Sequence, residues 1–434
     1  MPRLKVITLG CSKNTVDTEH LLAQLPADAY DIMPEEYSGP VDVLLVNTCG
    51  FIGDAKQESI DMILAQAERR KRGEIGRLLV FGCLSQRYAE DLPALIPEVD
   101  GWFGARDLSP VVRALGVKPS AALRNSRRFE SDGRAYAYLK ISEGCDRRCS
   151  YCAIPFIRGA HRSVPVEDLV AEAEDLASKG VKELILIAQD TTYYGLDLYG
   201  RRALAELLRA LSAIPGIEWL RLHYSYPEGF PEDVLHEMAV NPKICKYLDI
   251  PLQHISDKVL HNMHRGVTGE WTRNLIRRMR EEVPGVVLRT TVIVGHPGEG
   301  PEEFGELMDF AREAHFERLG AFRYSEEEGT WGAQNLNDDV PEEEKQRRYD
   351  ALMALQEGIS AQFNASRVGS VERVLADAVL NGKLVCRSQY ESPEVDGEII
   401  VSVPSGIDPA SLVGTFLNVR ITAADSYDLT ATVL

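Results

Sequence analysis

Three cysteines constrain this chain more than any other feature, because Cys145, Cys149 and Cys152 place three thiols in one stretch of eight residues. The stretch follows an alternating apolar run, residues 136–141, and Gly144 marks a turn, so it is predicted to be a loop at the end of a strand. Thiolates are soft ligands that suit iron–sulfur clusters or zinc. A cubane cluster has four irons, so three cysteines leave one iron open to an exchangeable ligand, as catalytic metal sites require.

The spacing Cys-x3-Cys-x2-Cys, with Tyr151 before the last cysteine, resembles the signature of radical S-adenosylmethionine (SAM) enzymes. The resemblance implies a 4Fe–4S cluster whose open iron binds the methionine moiety of SAM. It also implies reductive cleavage of SAM to a 5′-deoxyadenosyl radical. From the spacing alone, a three-cysteine zinc site and thiols without any metal stay open as alternatives.

Length and composition narrow the class of protein. A chain of 434 residues is expected to divide into two or three domains. No apolar run approaches the ~20 residues of a membrane span, and no signal-peptide core follows Met1, so a cytoplasmic protein without membrane association is predicted. Eight cysteines in a reducing compartment indicate metal binding or catalysis rather than disulfides. A net charge of −18 argues against a broad nucleic-acid surface and favours a basic protein partner.

Strands and helices alternate up to about residue 115, a pattern that predicts an open parallel sheet. The predicted strands at 4–9, 41–46 and 78–81 are followed within three residues by Cys11, Cys49 and Cys83, each beside a glycine. Ligands of open parallel sheets bind outside the carboxyl ends of the strands, and glycine lets the backbone approach a bulky group closely. A second three-cysteine metal site is therefore predicted here, and the alternative is three buried core cysteines.

The residues around these cysteines resemble the three N-terminal cysteine motifs of the methylthiotransferases. They read Leu-Gly-Cys-Ser-Lys-Asn at 9–14, Asn-Thr-Cys-Gly-Phe at 47–51 and Phe-Gly-Cys-Leu at 81–84. The resemblance implies a second 4Fe–4S cluster, which carries or accepts the sulfur to be inserted. It also implies an electron donor and a sulfur donor, whose identities the residues do not specify.

Strands and helices alternate again between residues 136 and 322, with candidate strands at 137–141, 183–188, 219–223, 247–250, 288–293 and 318–322. Six such units predict a partial (β/α)6 barrel with its chemistry at the carboxyl ends of the strands. The tracts after the second, fourth and fifth strands resemble those of the methylthiotransferases, except that His296 replaces the usual phenylalanine. The candidate SAM-binding residues are Tyr151, Gln189, Asp190, Thr191, Gln253, Arg289 and Gly295.

For Tyr151 the resemblance implies a contact between its backbone and adenine. The alternative for each polar candidate is ordinary capping of a strand end. Cys245 and Cys386 lack partners at metal-binding spacing and are predicted to be small core residues.

Short β runs at 371–376, 397–403, 415–421 and 429–433 predict a small antiparallel β-barrel, which resembles the TRAM module that ends methylthiotransferases. Residues 116–134 are predicted to be a linker whose arginines Arg124, Arg127 and Arg128 are solvated, and the acidic run 326–328 is likewise predicted to be solvated. A charged helix over 341–364 is predicted to pack against the barrel. The predicted domains are an N-terminal methylthiotransferase domain (1–117), a radical SAM core (131–364) and a TRAM barrel (366–434).

Two branches of the methylthiotransferases share this architecture. One modifies an adenosine in tRNA, and the other adds a methylthio group to the β-carbon of an aspartate in ribosomal protein S-twelve, a basic protein. Residues 366–434 hold five basic and nine acidic side chains, a net charge of −4 that does not suit phosphate binding. The tracts at 138–145 and 392–397 also resemble the ribosomal branch, so that protein is the predicted substrate. The tRNA reaction and a non-catalytic electron carrier with two clusters are the alternatives.

Overall fold

The computed structural model describes residues 1–123, 125–129 and 134–434, so Arg124 and the predicted linker residues Asp132 and Gly133 lie outside the described residues. The strands form a five-stranded sheet, a six-stranded sheet, a closed five-stranded barrel and one small two-stranded sheet. This arrangement confirms the predicted combination of an open parallel α/β unit, a partial barrel and a small β-barrel.

The N-terminal sheet is parallel throughout. Its strands are β1 (Arg3–Thr8), β2 (Asp31–Ile32), β3 (Val41–Thr48), β4 (Ile75–Gly82) and β5 (Gly101–Trp102). Its helices are α1 (Ser12–Ala23), α2 (Gly53–Lys71), α3 (Cys83–Arg87), α4 (Leu92–Leu95) and α5 (Ser109–Ala114). The strand order is β2-β1-β3-β4-β5, which makes the three predicted strands β1, β3 and β4 direct neighbours. Seven of the eight residues of β3 are buried, as expected for an inner strand covered on both faces.

The central sheet follows the order of the chain, as in a barrel. Its strands are β6 (Tyr136–Lys140), β9 (Glu183–Ile187), β10 (Trp219–Leu222), β11 (Ile244–Asp249), β12 (Val287–Val294) and β13 (Arg318–Arg323), and β7 (Ser142–Glu143) and β8 (Arg162–Ser163) form the two-stranded sheet. The six strands pair in parallel in the order β13-β12-β11-β10-β9-β6, so the barrel is partial. All six predicted strands are present, with ends that differ by up to three residues.

Helices alternate with the strands of this sheet and follow its last strand. They are α6 (Ile154–Arg158), α7 (Val166–Ser178), α8 (Leu196–Tyr199), α9 (Leu204–Ser212), α10 (Glu232–Val240), α11 (Asp257–Asn262), α12 (Gly269–Glu282), α13 (Pro301–Ala314), α14 (Trp331–Asn335) and α15 (Glu342–Ser366). Leu139, Leu186 and Leu222 from three strands are almost completely buried in the core shared with these helices. The helix predicted at 341–364 is α15, and Leu352 packs it into this core.

The C-terminal barrel consists of β14 (Val371–Leu380), β15 (Lys383–Arg387), β16 (Ile399–Ser402), β17 (Phe416–Ala424) and β18 (Leu429–Val433). It closes in the order β14-β15-β16-β18-β17, with four antiparallel pairings and one parallel pairing, between β16 and β18. The sequence analysis missed β15. Its signal was the two-residue connection Asn381-Gly382, where both residues have positive φ (51° and 74°), as a tight hairpin turn requires.

The segment between β15 and β16 fastens this barrel to the central sheet. Glu394 accepts hydrogen bonds from the hydroxyls of Tyr136 and Tyr138 at 3.0 Å, and Asp396 accepts one from Tyr247 at 2.7 Å. The tract at 392–397, which the sequence analysis singled out, therefore packs against β6 and β11 of the central sheet. No helix within the described residues is both long and apolar enough to span a bilayer.

Two charged groups predicted to be solvated are buried instead, so those predictions were wrong. Arg127 forms ion pairs with Glu19 and Glu172. Glu327 accepts from Lys56 of α2 and from Arg87 of α3, each at 2.8 Å, and so joins the segment after β13 to the N-terminal helices. Their partners lie more than 40 residues away in sequence, which local polarity does not reveal.

The buried carboxylate of Glu391 generates a stability prediction. Burial alone would raise the pKa of Glu391, but Arg367 and Arg318 outweigh it and lower the pKa to about 2. Glu391→Gln removes the carboxylate that Arg318 contacts at 3.1 Å and leaves Arg367 paired with Glu372 alone. We therefore expect a loss of about 3 kcal/mol in unfolding free energy at pH 7. Urea denaturation measures this loss, with Glu281→Gln at an exposed position as the control.

The same substitution changes the pH dependence. A lowered pKa in the folded state contributes stability above the pKa of the unfolded chain, about 4.3, and that contribution disappears as the pH falls through about 2. The destabilisation by Glu391→Gln should therefore be smaller at pH 3 than at pH 7. An equal loss at both pH values would contradict the ionised state assigned to Glu391.

Candidate metal and cofactor site

The three N-terminal cysteines lie at the carboxyl ends of three neighbouring strands. Cys11 follows β1 and precedes α1, Cys49 follows β3, and Cys83 follows β4 as the first residue of α3. Cys49 and Cys83 are buried, whereas Cys11 is exposed. A Cβ atom at Gly10 would lie 2.7 Å from the Cβ of Cys49, so glycine is needed for this close approach.

Asn14 ties two of these strand ends together. Its side-chain amide donates to the carbonyl of Leu9 at 2.8 Å and to that of Thr48 at 3.2 Å. Burial raises the pKa of Cys83 to about 11, and the neighbouring Cys11 and Cys49 thiolates act in the same direction against the opposing charge of Arg158. The structure thus brings the predicted N-terminal triad together.

Arg158 at the end of α6 joins this triad to the central sheet. It is 2% exposed, and its Nε–H donates to the Sγ of Cys83 at 3.2 Å. Its remaining donors reach Asn14 and Asp17 of α1, each at 2.6 Å, and Glu143 of β7 at 3.1 Å. One buried guanidinium therefore contacts both the N-terminal triad and the start of the Cys145 loop.

Glu143 is the acceptor on the central side of this connection. It also accepts from Lys140 at 2.7 Å and from the side-chain amide of Gln189 at 2.7 Å. Burial alone would raise the pKa of Glu143, but Lys140 and Arg158 outweigh it and lower the pKa to about 2. Glu143 is thus ionised at neutral pH and balances the two cations.

The second triad occupies the loop after β7, as predicted. Gly144 has a φ of +82°, and a Cβ there would overlap the carbonyl oxygen of Ala160, so only glycine fits this turn. The backbone N–H of Cys145 donates to the carbonyl of Gly159 at 3.0 Å, and that of Cys152 to the carbonyl of Cys149 at 3.1 Å. Burial raises the pKa of Cys145 to about 12, and the Cys149 thiolate adds to this effect.

A buried arginine also faces this triad. Arg265 lies 3.6 Å from the Sγ of Cys149, and so does the hydroxyl of Tyr226. The Tyr226 ring lies between two guanidinium groups, with Arg265 at 4.0 Å and Arg147 at 3.9 Å from its centroid. Arg147 in turn pairs with Asp190 at 2.9 Å. These contacts enclose the triad on the side of β9 and β10.

The other predicted site residues fall into two groups. Gln189, Asp190 and Thr191 follow β9, and the first two reach the triad loop through Glu143 and Arg147. Thr191 is buried and donates to the carbonyl of His223 at 3.0 Å, so it also joins two strand ends.

The second group comes from β11 and β12. Gln253 adopts a φ of +73°, and its buried Oε1 has no hydrogen bond within the described residues. Arg289 pairs with Asp249 at 3.0 Å, and Gly295 packs against the side chain of Lys345, so neither has a described contact with the cysteines. Arg289 and Gly295 thus have structural partners beside the role predicted for them.

His296 packs where the family's phenylalanine was expected. Its ring lies 6.3 Å from that of Tyr151 and 4.9 Å from that of Tyr324, both edge to face. Burial lowers the pKa of His296 to about 4, so the ring is neutral at pH 7 and fills an aromatic position.

The donor set of each triad fits an iron–sulfur cluster. Each offers three thiols and one buried arginine directed at a sulfur, and both features suit a cluster with a net negative charge. Within the described residues, no three His, Cys, Asp or Glu side chains converge as the ligands of a single metal ion. Each thiolate of a cubane binds a different iron, so its three sulfurs stand farther apart than the ligands of one ion.

The sequence analysis missed Arg158, Arg265, Tyr226 and Asn14, all of which contact the triads or tie their strands. Arg158 carried one local signal, a charge at the end of the apolar run Ile-Pro-Phe-Ile that follows Cys152. Cys245 and Cys386 are buried in apolar clusters, as predicted.

Family models match three parts of the chain. They are the Radical SAM superfamily at residues 139–311, Uncharacterized protein family UPF0004 at 3–104 and the TRAM domain at 368–434. Among solved structures, the radical SAM methyltransferase TsrM from Kitasatospora setae covers 95% of this chain and 85% of its own, with a TM-score of 0.54 and 15% identity. The cobalamin-dependent radical SAM enzyme OxsB covers 83% and 56%, with a TM-score of 0.54 and 14% identity. These two likenesses concern the fold alone.

The fold and the cysteine loop define a radical SAM enzyme, and this class implies a 4Fe–4S cluster and SAM. Curated relatives named ribosomal protein uS12 methylthiotransferase RimO are similar over the full length. The relative from Porphyromonas gingivalis is 51% identical over 432 residues, which are 100% of this chain and 99% of that protein. The relative from Bacteroides thetaiotaomicron is 48% identical, with 100% and 98% covered. The chain belongs to the RimO family of methylthiotransferases, which rules against the alternative of a non-catalytic electron carrier.

The unequal exposure of the N-terminal triad predicts unequal reactivity. In metal-free protein at pH 8, a maleimide should modify Cys11 at least roughly tenfold faster than Cys83, because only Cys11 is exposed. Peptide mass spectrometry over time measures both rates, and the buried Cys386 is the internal control. Equal rates at Cys11 and Cys386 would contradict the described arrangement.

Proposed function

We propose that this chain adds a methylthio group to the β-carbon of an aspartate in ribosomal protein uS12. The observation that carries the proposal is the pair of three-cysteine sites joined through Arg158, in a chain about half identical over its whole length to enzymes named for this reaction. The overall charge of −18 suits a basic protein substrate and not a nucleic acid as the main one. A cytoplasmic location and the domain limits 1–117, 131–364 and 366–434 belong to the same proposal.

The Cys145 loop is proposed to hold the radical-generating 4Fe–4S cluster on Cys145, Cys149 and Cys152. When bound, the cluster and SAM would supply the radical chemistry needed to remove hydrogen from an unactivated carbon, which acid–base side chains do not accomplish. Gln189, Asp190 and Thr191 are proposed to contact SAM from the end of β9.

The remaining proposed SAM contacts come from Tyr151, Gln253, Arg289 and Gly295. The buried Oε1 of Gln253, which lacks a hydrogen bond among the described residues, supports the assignment of that residue because a ligand donor would satisfy it. Tyr226 and Arg265 both contact the Sγ of Cys149 and so cover one side of the loop.

Cys11, Cys49 and Cys83 are proposed to hold a second 4Fe–4S cluster, which would supply sulfur, and a second SAM molecule would supply the methyl group. The exposed side of this triad is at Cys11. Arg158 connects Cys83 and Asn14 to Glu143 at the start of the Cys145 loop, and this connection supports a substrate carbon held between the two sites. The sulfur donor and the electron donor are further partners of the reaction.

Substrate choice is tested by turnover of anaerobically loaded protein with SAM and a reductant, offered purified uS12 and bulk tRNA in separate reactions. We expect 5′-deoxyadenosine release and a methylthio mass increase on one aspartate of uS12. Cys145→Ala should abolish both signals, because the radical-generating cluster loses a ligand. Modification of tRNA alone would replace the proposed substrate with the tRNA adenosine.

A further inference from the structure

Lys13 is a buried cation without a carboxylate partner among the described residues. It lies two residues after Cys11, is 7% exposed, and its ammonium group lies 3.1 Å from the ring centroid of Tyr224. Within the described residues, no carboxylate lies within 4.0 Å of its Nζ and no hydrogen bond from it is present. The other buried lysines differ, since Lys345 pairs with Asp338 and Glu342, and Lys5 donates to two carbonyls.

The burial of this ammonium group costs free energy unless an anionic ligand pairs with it. Removing an ammonium group from water costs several kcal/mol, and the face of a tyrosine ring returns only about 0.5 to 2 kcal/mol. The chain has 66 acidic side chains against 48 lysines and arginines, so carboxylates are not scarce. A cation left without one in an interior position is therefore suited to an anionic group that arrives with a ligand.

The position of Lys13 is fixed from both sides. Its helix α1 begins at the N-terminal triad, and Tyr224 lies just after β10 in the central sheet. The backbone N–H of Tyr224 donates to Asp249 at 3.0 Å, and its carbonyl accepts from the N–H of Thr191 at 3.1 Å. Tyr224 also has a φ of 57°, a strained conformation for a non-glycine residue that surrounding contacts must hold. The ammonium group thus lies between the N-terminal triad and the carboxyl ends of the barrel strands.

We propose that the ammonium group of Lys13 binds the side-chain carboxylate of the target aspartate and so places the β-carbon next to that carboxylate between the two cysteine triads. This inference rests on the proposed function. In this role, Lys13 distinguishes an aspartate from its neutral analogue asparagine. A tRNA adenosine has no carboxylate at the reacting position, so this role is specific to the protein substrate.

The test is a double-mutant cycle in equilibrium binding. Anaerobically loaded protein with SAM but no reductant, so that no turnover occurs, is titrated with purified uS12 carrying the target aspartate or an asparagine in its place. The wild type should bind the aspartate form about thirtyfold tighter or more, the fold-change expected for a buried charged partner. Lys13→Met, which keeps the length of the side chain over Tyr224, should bind both forms about equally. Lys13→Arg should restore part of the preference.

Controls separate this role from general damage. Lys5→Met removes another buried ammonium group, on the neighbouring strand β1, and should keep the full preference for aspartate. Iron content should match the wild type in every variant that enters the comparison. We expect the affinity for SAM, measured without uS12, to be the same in Lys13→Met as in the wild type. A lower affinity for SAM together with an intact preference for aspartate would assign the ammonium group to the carboxylate of SAM and overturn the proposal.

Different results of this binding experiment would overturn the proposed function and the role of Lys13. Wild-type protein that binds neither form of uS12 would overturn the proposed function itself. Wild-type protein that binds both forms of uS12 equally well would overturn the role of Lys13 but not the substrate assignment. This comparison uses the wild-type enzyme alone, so it does not depend on the folding of any variant. A preference that survives in Lys13→Met would also overturn that role.

Discussion

The arrangement of both sites depends on the buried guanidinium of Arg158. It donates to a cysteine sulfur of the N-terminal triad and to Glu143, which precedes the Cys145 loop, while Asp17 and Asn14 fix its other donors. A charge this deeply buried is stable only when such partners surround it. Separation of the N-terminal sheet from the partial barrel would take Asp17, Asn14 and the sulfur of Cys83 away from Arg158. The free energy of these buried contacts therefore keeps the two triads together.

Other buried ion pairs also connect different parts of the molecule. Glu327 joins the segment after β13 to the N-terminal helices, and Glu391 joins the C-terminal barrel to α15 and β13. Part of the acidic excess of the chain thus holds domains together and is not available to a partner. Lys13 is the exception, because it reaches from helix α1 to the barrel and contacts only the ring of Tyr224 there among the described residues.

The sequence predicted what local patterns and topology rules determine. Strand periodicity located β1, β3 and β4, and the rule that ligands gather at the carboxyl ends of parallel strands brought Cys11, Cys49 and Cys83 together. Local spacing located the second triad. These cysteines could be predicted as ligands because each group follows a strand whose end is recognisable in the sequence.

The remaining site residues depend on contacts between distant segments. Arg158 lies 75 residues from Cys83, and Arg265 lies 116 residues from Cys149, so no window of sequence contains both partners. For the same reason Arg127 and Glu327 resemble solvated charges in the sequence although they are buried. The strand β15 is a different case, because the Asn-Gly turn before it is a local hairpin signal that the sequence does contain.

The most direct test of two separate clusters, each bound by three cysteines, is to quantify iron and sulfide in anaerobically loaded protein. The account predicts about eight irons for the wild type, and about four both for Cys11→Ala/Cys49→Ala/Cys83→Ala and for Cys145→Ala/Cys149→Ala/Cys152→Ala. About four irons in the wild type, or the loss of all iron from either triple variant with its fold intact, would contradict it.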